Sequence, residues 1–309
     1  MKILLPNPHG FCAGVVMAIQ SLEKALELYG APIYVFHEIV HNKHVVEGFC
    51  QRGVIFVDGL DEIPESSHVL FSAHGVSPDI RKQARARRLK TIDATCPLVS
   101  KVHTEAVKFV AAGYSVLLIG HAGHDEAVGT VGEAPDQIQL IETIEDVDTV
   151  KVPDPDKVAY LTQTTLSLDH VKNIVDRLEQ RYPRIIGPAK QDICFATQNR
   201  QTAVKELLSE ADVVLVIGSQ NSSNSNRLAE VAREAGKPSY LFDHVSEIDP
   251  TWLRPDDTVI LTAGASAPEE LVDECLNYLC SQFQATVESR DIRQERARFD
   301  LPVELRSVV

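Results

Sequence analysis

Short β-branched and apolar runs alternate along the chain with longer amphipathic stretches. Strand-like runs lie at 33–37, 68–72, 115–119, 158–161, 212–217 and 258–262, and the first residues read as another strand. Between them, residues 14–29 carry Val15, Ile19, Leu22, Leu26 and Tyr29 at intervals of 4, 3, 4 and 3, the period of a helix buried on one side. Residues 97–112 and 168–181 show similar stripes. Such alternation predicts βαβ units and an α/β fold with mainly parallel sheets.

Several apolar runs end abruptly in small or polar residues, as in Phe71-Ser72-Ala73-His74-Gly75, Ile119-Gly120-His121-Ala122-Gly123-His124, Ile217-Gly218-Ser219 and Leu261-Thr262-Ala263-Gly264-Ala265-Ser266. Ligands of open α/β sheets collect at the carboxyl ends of strands, so these segments are candidate site walls.

Cys12, Cys96 and Cys194 each fall between an extended segment and a helix start, and they stand 84 and 98 residues apart. A helix N-terminus favours thiolate, the form that binds metal. Three thiolates leave one position of a zinc ion or a cubane cluster to another ligand. With no C-x-x-C, the residues alone leave three readings open: a metal or cluster site, unrelated buried cysteines, or a catalytic thiol. Cys50, Cys275 and Cys280 lie in helical patterns and read as small core residues or inert thiols. Spacing near a third of the chain suggests three similar α/β subdomains at 14–96, 97–193 and 194–281. The segment 1–13 is expected to pack with the third, and 282–309 to form a C-terminal extension.

Composition narrows the function classes. A net charge of −14 argues against nucleic acid as a partner. No apolar run reaches membrane-spanning length, and the start of the chain does not read as a secretory signal, so a cytoplasmic protein with no membrane partner is expected. The basic run 81–90 reads as a solvated helix face, with a docking surface for an acidic electron donor as the sharper alternative.

The ordered segments Asn7-Pro8-His9-Gly10-Phe11-Cys12-Ala13-Gly14, His37-Glu38-Ile39-Val40-His41-Asn42, Ser72-Ala73-His74-Gly75-Val76 and Asp93-Ala94-Thr95-Cys96-Pro97 carry a resemblance. It continues through Gly120–Glu126, Gln163-Thr164-Thr165-Leu166-Ser167, Asp192-Ile193-Cys194, Gly218–Ser225 and Thr262–Ser266. Together they closely resemble the 4-hydroxy-3-methylbut-2-enyl diphosphate reductase family, from residue 2 to about 268. The resemblance implies a trefoil of three α/β subdomains around one 4Fe–4S cluster, with Cys12, Cys96 and Cys194 as ligands and one open iron. It implies reductive dehydroxylation of an allylic diphosphate to isopentenyl and dimethylallyl diphosphates, the last step of the methylerythritol phosphate route. An external ferredoxin- or flavodoxin-type donor is implied too, since no flavin or nicotinamide fingerprint appears. Many relatives carry Arg where this chain has His9.

The resemblance assigns roles that the residue types suit. Glu126 would deliver the proton to the departing hydroxyl, with Thr164 relaying or orienting it and His124 beside them. His41, His74, His124, Thr165, Ser222, Ser223, Asn224 and Ser266 would bind the substrate, with Ser222–Asn224 just ahead of a helix at 227–235 and Asn42 as a supporting candidate. Read without the resemblance, Glu126 is a solvent-facing loop carboxylate, and the serines are an ordinary helix cap. A non-redox iron–sulfur hydro-lyase, an electron carrier and a zinc hydrolase are the competing functions.

Overall fold

Each strand pair among residues 1–306, which this computed structural model describes, runs parallel. In chain order the first elements are β1 (Lys2–Asn7), α1 (Ala13–Tyr29), β2 (Ile33–Phe36), α2 (Lys43–Gln51), β3 (Val54–Val57), β4 (His68–Phe71), α3 (Pro78–Ala86) and β5 (Lys90–Asp93). There follow α4 (Pro97–Ala111), β6 (Ser115–Ile119), α5 (Asp125–Val131), β7 (Ile138–Ile141), α6 (Ile144–Thr149), β8 (Val158–Thr162) and α7 (Leu168–Arg181). The last are α8 (Phe195–Leu207), β9 (Val213–Ile217), α9 (Ser223–Glu234), β10 (Ser239–Phe242), β11 (Thr258–Ala263), α10 (Glu269–Phe283), β12 (Thr286–Asp291) and α11 (Val303–Arg306).

These elements form two compact units. One comprises Met1–Val16, Val40–Gly48 and Phe195–Arg298, and holds a five-stranded sheet in the order β10-β9-β11-β1-β12. Val213–Ile217 is buried at every position, as a parallel strand covered on both faces must be. Its alternate side chains enter two cores. Val213, Leu215 and Ile217 pack with Leu271, Val272, Cys275 and Leu279 of α10. Val214 and Val216 pack with Val204 and Leu207 of α8 and Leu228 and Ala232 of α9. The residues beyond 284 carry no helical stripe, yet β12 pairs with β1 from Lys2↔Thr286 to Asn7↔Asp291.

The second unit comprises Met17–Ile39, Phe49–Cys194 and the segment from Phe299. It contains two smaller sheets, β3-β2-β4-β5 and β7-β6-β8. In the latter, Leu117 and Ile119 of β6 pack on Val171, Ile174 and Leu178 of α7, while Val116 and Leu118 meet Val102 and Ala106 of α4 and Ala127 of α5. In the former, Phe36, Val69 and Phe71 cover Ala84 of α3. Helix starts follow the expected chemistry. Ser77 caps α3 ahead of Pro78, Ser167 caps α7, and Thr143 with Asp146 forms a capping box on α6.

One local expectation changes. α9 opens at Ser223 with Ser222 as its cap, so Ser223 and Asn224 lie inside its first turn instead of ahead of a later helix. α8 opens directly after Cys194, with Thr197 fully buried inside the helix. Of the remaining cysteines, Cys275 is buried, its thiol pushed up to about 12 by burial, whereas Cys50 is exposed. Among the described residues, no helix is long and apolar enough to cross a membrane.

Leu117 sits in the central strand of the three-stranded sheet with no exposed surface. Leu117→Ala is expected to cost about 2–5 kcal/mol, read as a lowered denaturant midpoint with an unchanged slope.

Candidate active site

In the second unit, the loop after β6 turns into α5 with His124 as the cap, its Nδ1 accepting the Glu126 amide at 3.2 Å. That turn swings the Glu126 side chain inward, leaving the residue 2% exposed. Its partner is Thr164, one residue past the strand-end position Gln163 that follows β8. The Thr164 amide donates to Oε1 at 2.6 Å and its hydroxyl to Oε2 at 2.9 Å. The Thr164 carbonyl in turn accepts the Cys194 amide at 3.0 Å.

Burial pushes the Glu126 carboxyl up to about 7; the two bonds from Thr164 pull it down, and the charge of Asp192 adds to the rise. The loop-carboxylate reading therefore fails: desolvation outweighs the donors and the helix end, and Glu126 exchanges its proton near neutral pH. Asp192 is pushed up to about 6 by burial, against the Lys101 ammonium 2.7 Å away, and it anchors the Thr162 amide at 3.0 Å.

Beside this pair stand groups that periodicity and spacing did not single out. Asp125 holds His37 Nδ1 at 2.6 Å, and that bond raises the His37 pKa against the cost of burial. His74 lies 3.9 Å from the same carboxylate and meets the His124 ring edge-on, centroids 5.8 Å apart. Only the motifs containing His37 and Asp125 signalled them, because the bond spans 88 positions. Gln163 bridges the two strand ends, accepting the His121 amide at 3.0 Å and donating to the Thr165 hydroxyl at 3.0 Å.

In the first unit, the strand ends of β9 and β11 assemble a set of hydroxyls. Ser222 Oγ lies 3.4 Å from Ser266 Oγ, and Ser266 donates to the His41 carbonyl at 2.8 Å. Gly264 leaves room for Ser225 here, since a Cβ would overlap the Ser225 hydroxyl. Asn224 is 4% exposed, and neither its amide nitrogen nor its oxygen has a partner among the described residues. A buried amide without partners costs on the order of 1–3 kcal/mol, which a bound polar ligand would recover. Asn42 caps α2, its Oδ1 accepting the Val45 amide at 3.0 Å.

Each cysteine of the candidate triad is half-buried, free of disulfides, and immediately precedes a helix. The backbone amide of each bonds a carbonyl in a strand-end loop: Cys12 to Ala265 at 3.1 Å, Cys96 to Ala73 at 3.0 Å, Cys194 to Thr164 at 3.0 Å. Within the first unit, Arg200, 1% exposed, fixes the Cys12 loop by donating to the Gly10 carbonyl at 2.8 Å, with Glu295 at 3.0 Å balancing its charge. The Arg200–Gly10 bond spans 190 positions, and local sequence carries no trace of it. His9 steadies the same loop, its Nδ1 lying 2.7 Å from the Pro6 carbonyl.

A carboxyl that titrates near neutrality and is bonded to a hydroxyl, at the ends of parallel strands, is the equipment of an α/β enzyme that moves protons. The chain belongs to the LytB protein family, whose model matches residues 3–280. It is 53% identical over 99% of its length to the 4-hydroxy-3-methylbut-2-enyl diphosphate reductase of Rhodopirellula baltica, of which 96% is covered. With the enzyme of the same name from Acidothermus cellulolyticus it shares 55% identity, over 99% of this chain and 90% of that one. Among solved structures, it resembles the E-1-hydroxy-2-methyl-but-2-enyl-4-diphosphate reductase of Plasmodium falciparum with a TM-score of 0.96 and 37% identity, over 98% of this chain and 96% of the other.

Two outcomes are expected of the Glu126–Thr164 pair. Thr164→Val, which deletes a donor to the carboxylate, raises the Glu126 pKa beyond about 7, read from the ¹³C shift of its labelled carboxyl. Because folding raises this pKa from 4.5, the stability it lends is complete below about 4.5 and is lost as pH climbs to about 7. Denaturation across that window should show Glu126→Gln declining less with pH than the parent chain.

Proposed function

We propose that this chain reduces (E)-4-hydroxy-3-methylbut-2-enyl diphosphate to isopentenyl and dimethylallyl diphosphates, with Glu126 supplying the proton on which the hydroxyl leaves as water. The observation that carries this reading is the buried Glu126 carboxyl, held near neutrality and bonded through both oxygens to Thr164. A carboxylic acid with this pKa keeps a proton available at neutral pH yet releases it without a large penalty. The Thr164 hydroxyl both donates and accepts, so it can pass that proton or orient the group that takes it.

The donor set fits an iron–sulfur group. Cys12, Cys96 and Cys194 are soft ligands outside any disulfide, each anchored by its own backbone amide and placed where a helix N-terminus favours thiolate. We assign to them one 4Fe–4S cluster per chain, with one iron left to the substrate. When bound, the cluster supplies the electrons that break the carbon–oxygen bond. Those electrons originate from an external carrier of the ferredoxin or flavodoxin type, and the enzyme works in the cytoplasm, where such thiols stay reduced.

The diphosphate is assigned to Ser222, Ser223, Asn224 and Ser266 at the N-terminus of α9, with His41 beside Ser266. The unpartnered Asn224 amide supports this, as do the neutral hydroxyls, which accept an anion in a chain of net charge −14 because local donors set a pocket's potential. His74, His124 and Thr165 are assigned as further substrate contacts, with the Asp125 carboxylate 3.9 Å from His74.

Purified without oxygen, the protein should be brown and should form both products from the hydroxy-diphosphate with reduced methyl viologen. Consumption of substrate without electrons would point to a hydro-lyase instead. Glu126→Gln should keep its KM while kcat falls roughly 100- to 10,000-fold, and full turnover by that variant would remove Glu126 from the proton path. Asn224→Ala should chiefly raise KM, since its amide binds a part of the substrate that does not react.

A further inference from the structure

Within the second unit, a cavity of about 610 Å³ opens between α3 and α4. Pro78 and Arg81 come from α3, Ser100, Thr104, Val107 and Lys108 from the outer face of α4, and Thr95 from the turn that leads into Cys96. The two carboxylates of the wall are already engaged. Asp93 is bonded by Arg81 at 2.7 Å, and Glu133 by His103 Nδ1 at 2.8 Å. Lys108 has no acidic partner among the described residues, and next to it Val107 leaves 46% of its surface exposed. The positive charge continues along α3. Lys82 and Arg85 lie four and seven positions after Pro78, on the stripe that borders the cavity, and both are exposed without an ion pair among the described residues. Six of the chain's 30 basic residues fall within 78–90, against one acid, Asp79, which accepts a bond from Gln83.

We propose that this α3–α4 groove is the docking surface for the electron donor, a small acidic one-electron carrier protein, which delivers its electrons beside Cys96. The inference rests on the reading of Cys96 as a cluster ligand. A chain of net charge −14 repels an acidic carrier as a whole, so productive encounter is confined to a place where positive charge is concentrated and unpaired. Val107, exposed on the cavity wall beside Lys108, supplies an apolar contact next to the charge, as specific interfaces require. Thr95, on the cavity wall, is joined through one peptide bond to Cys96, so a seated carrier lies against the segment holding that ligand. Each turnover oxidises two reduced carriers by one electron each. Two protons enter with those electrons: as the carbon–oxygen bond breaks, one joins the hydroxyl, which already carries its own hydrogen and leaves as water, and the other goes to carbon.

The test uses the cluster-loaded full chain, purified without oxygen, with a plant-type ferredoxin as the probe. The triple variant Lys82→Glu/Arg85→Glu/Lys108→Glu is compared with Lys151→Glu/Lys157→Glu/Arg254→Glu, an equal change of charge at other exposed positions. Calorimetric Kd and the KM for ferredoxin should both rise about tenfold or more in the first variant at low ionic strength. The difference should shrink in high salt, and turnover with methyl viologen should stay at the parental rate. An unchanged Kd in the first variant, or equal weakening in both, overturns the proposal. Should the charge reversal not fold, Lys82→Gln/Arg85→Gln/Lys108→Gln must still weaken binding. If the parent chain makes no product with methyl viologen, the reductase reading fails instead, while the calorimetric Kd still decides the surface.

Discussion

Thr164 spends each of its polar backbone and side-chain groups on a different obligation, and the site hangs on that division. Its amide and hydroxyl meet the two oxygens of Glu126, and its carbonyl holds the amide of Cys194. A carboxyl buried in apolar surroundings is driven to stay protonated, and two donors at hydrogen-bond distance pull it back toward ionisation. Neither tendency wins outright, and the result is a proton exchanged near pH 7. The same residue thereby couples the acid to a proposed cluster ligand through a single peptide unit, so that a shift of the β8 end would disturb both.

The theme recurs at the other cysteines. Each amide is tied to a strand-end loop, and the strands behind those loops are buried on both faces or packed under helices. Rigid strands thus set the positions of flexible-looking loop residues, which is how α/β folds keep reactive groups at carboxyl ends in register. At the Cys12 loop, which the end of β11 also holds, a buried charge adds to the anchoring. Arg200 crosses from α8 to the Gly10 carbonyl and keeps Glu295 as its counter-ion, an arrangement that is costly to break because it would strand a charge in the interior.

Electrostatics divide the labour differently on the surface. The chain is strongly acidic, yet the segment 78–90 is basic, and its fully exposed members lie outside the described ion pairs that occupy Arg81 and Asp93. The polar machinery of the first unit, in contrast, consists of neutral hydroxyls and an amide at a helix end. Neutral donors bind an anion without making the empty pocket a strong attractor for every anion in solution, since their partial charges act only at close range.

How much was legible beforehand follows the range of the interactions. Strands such as Val213–Ile217 and helices such as Leu168–Arg181 were readable because their burial patterns are local and periodic. Other strands escaped, among them Val54–Val57, and Thr286–Asp291 is a polar edge strand defined only by pairing with β1. The three cysteines, Glu126, Thr164 and the serine–asparagine segment were named from sequence, because motif order and residue chemistry are written along the chain. That Glu126 is buried and titrates near 7, that Ser222 caps a helix while Asn224 lies unpartnered within it, and that His37, Asp125 and Arg200 take part were decided only on folding. The reason is physical: desolvation and hydrogen bonds between residues 38 to 190 positions apart exist only once strands have brought those residues together.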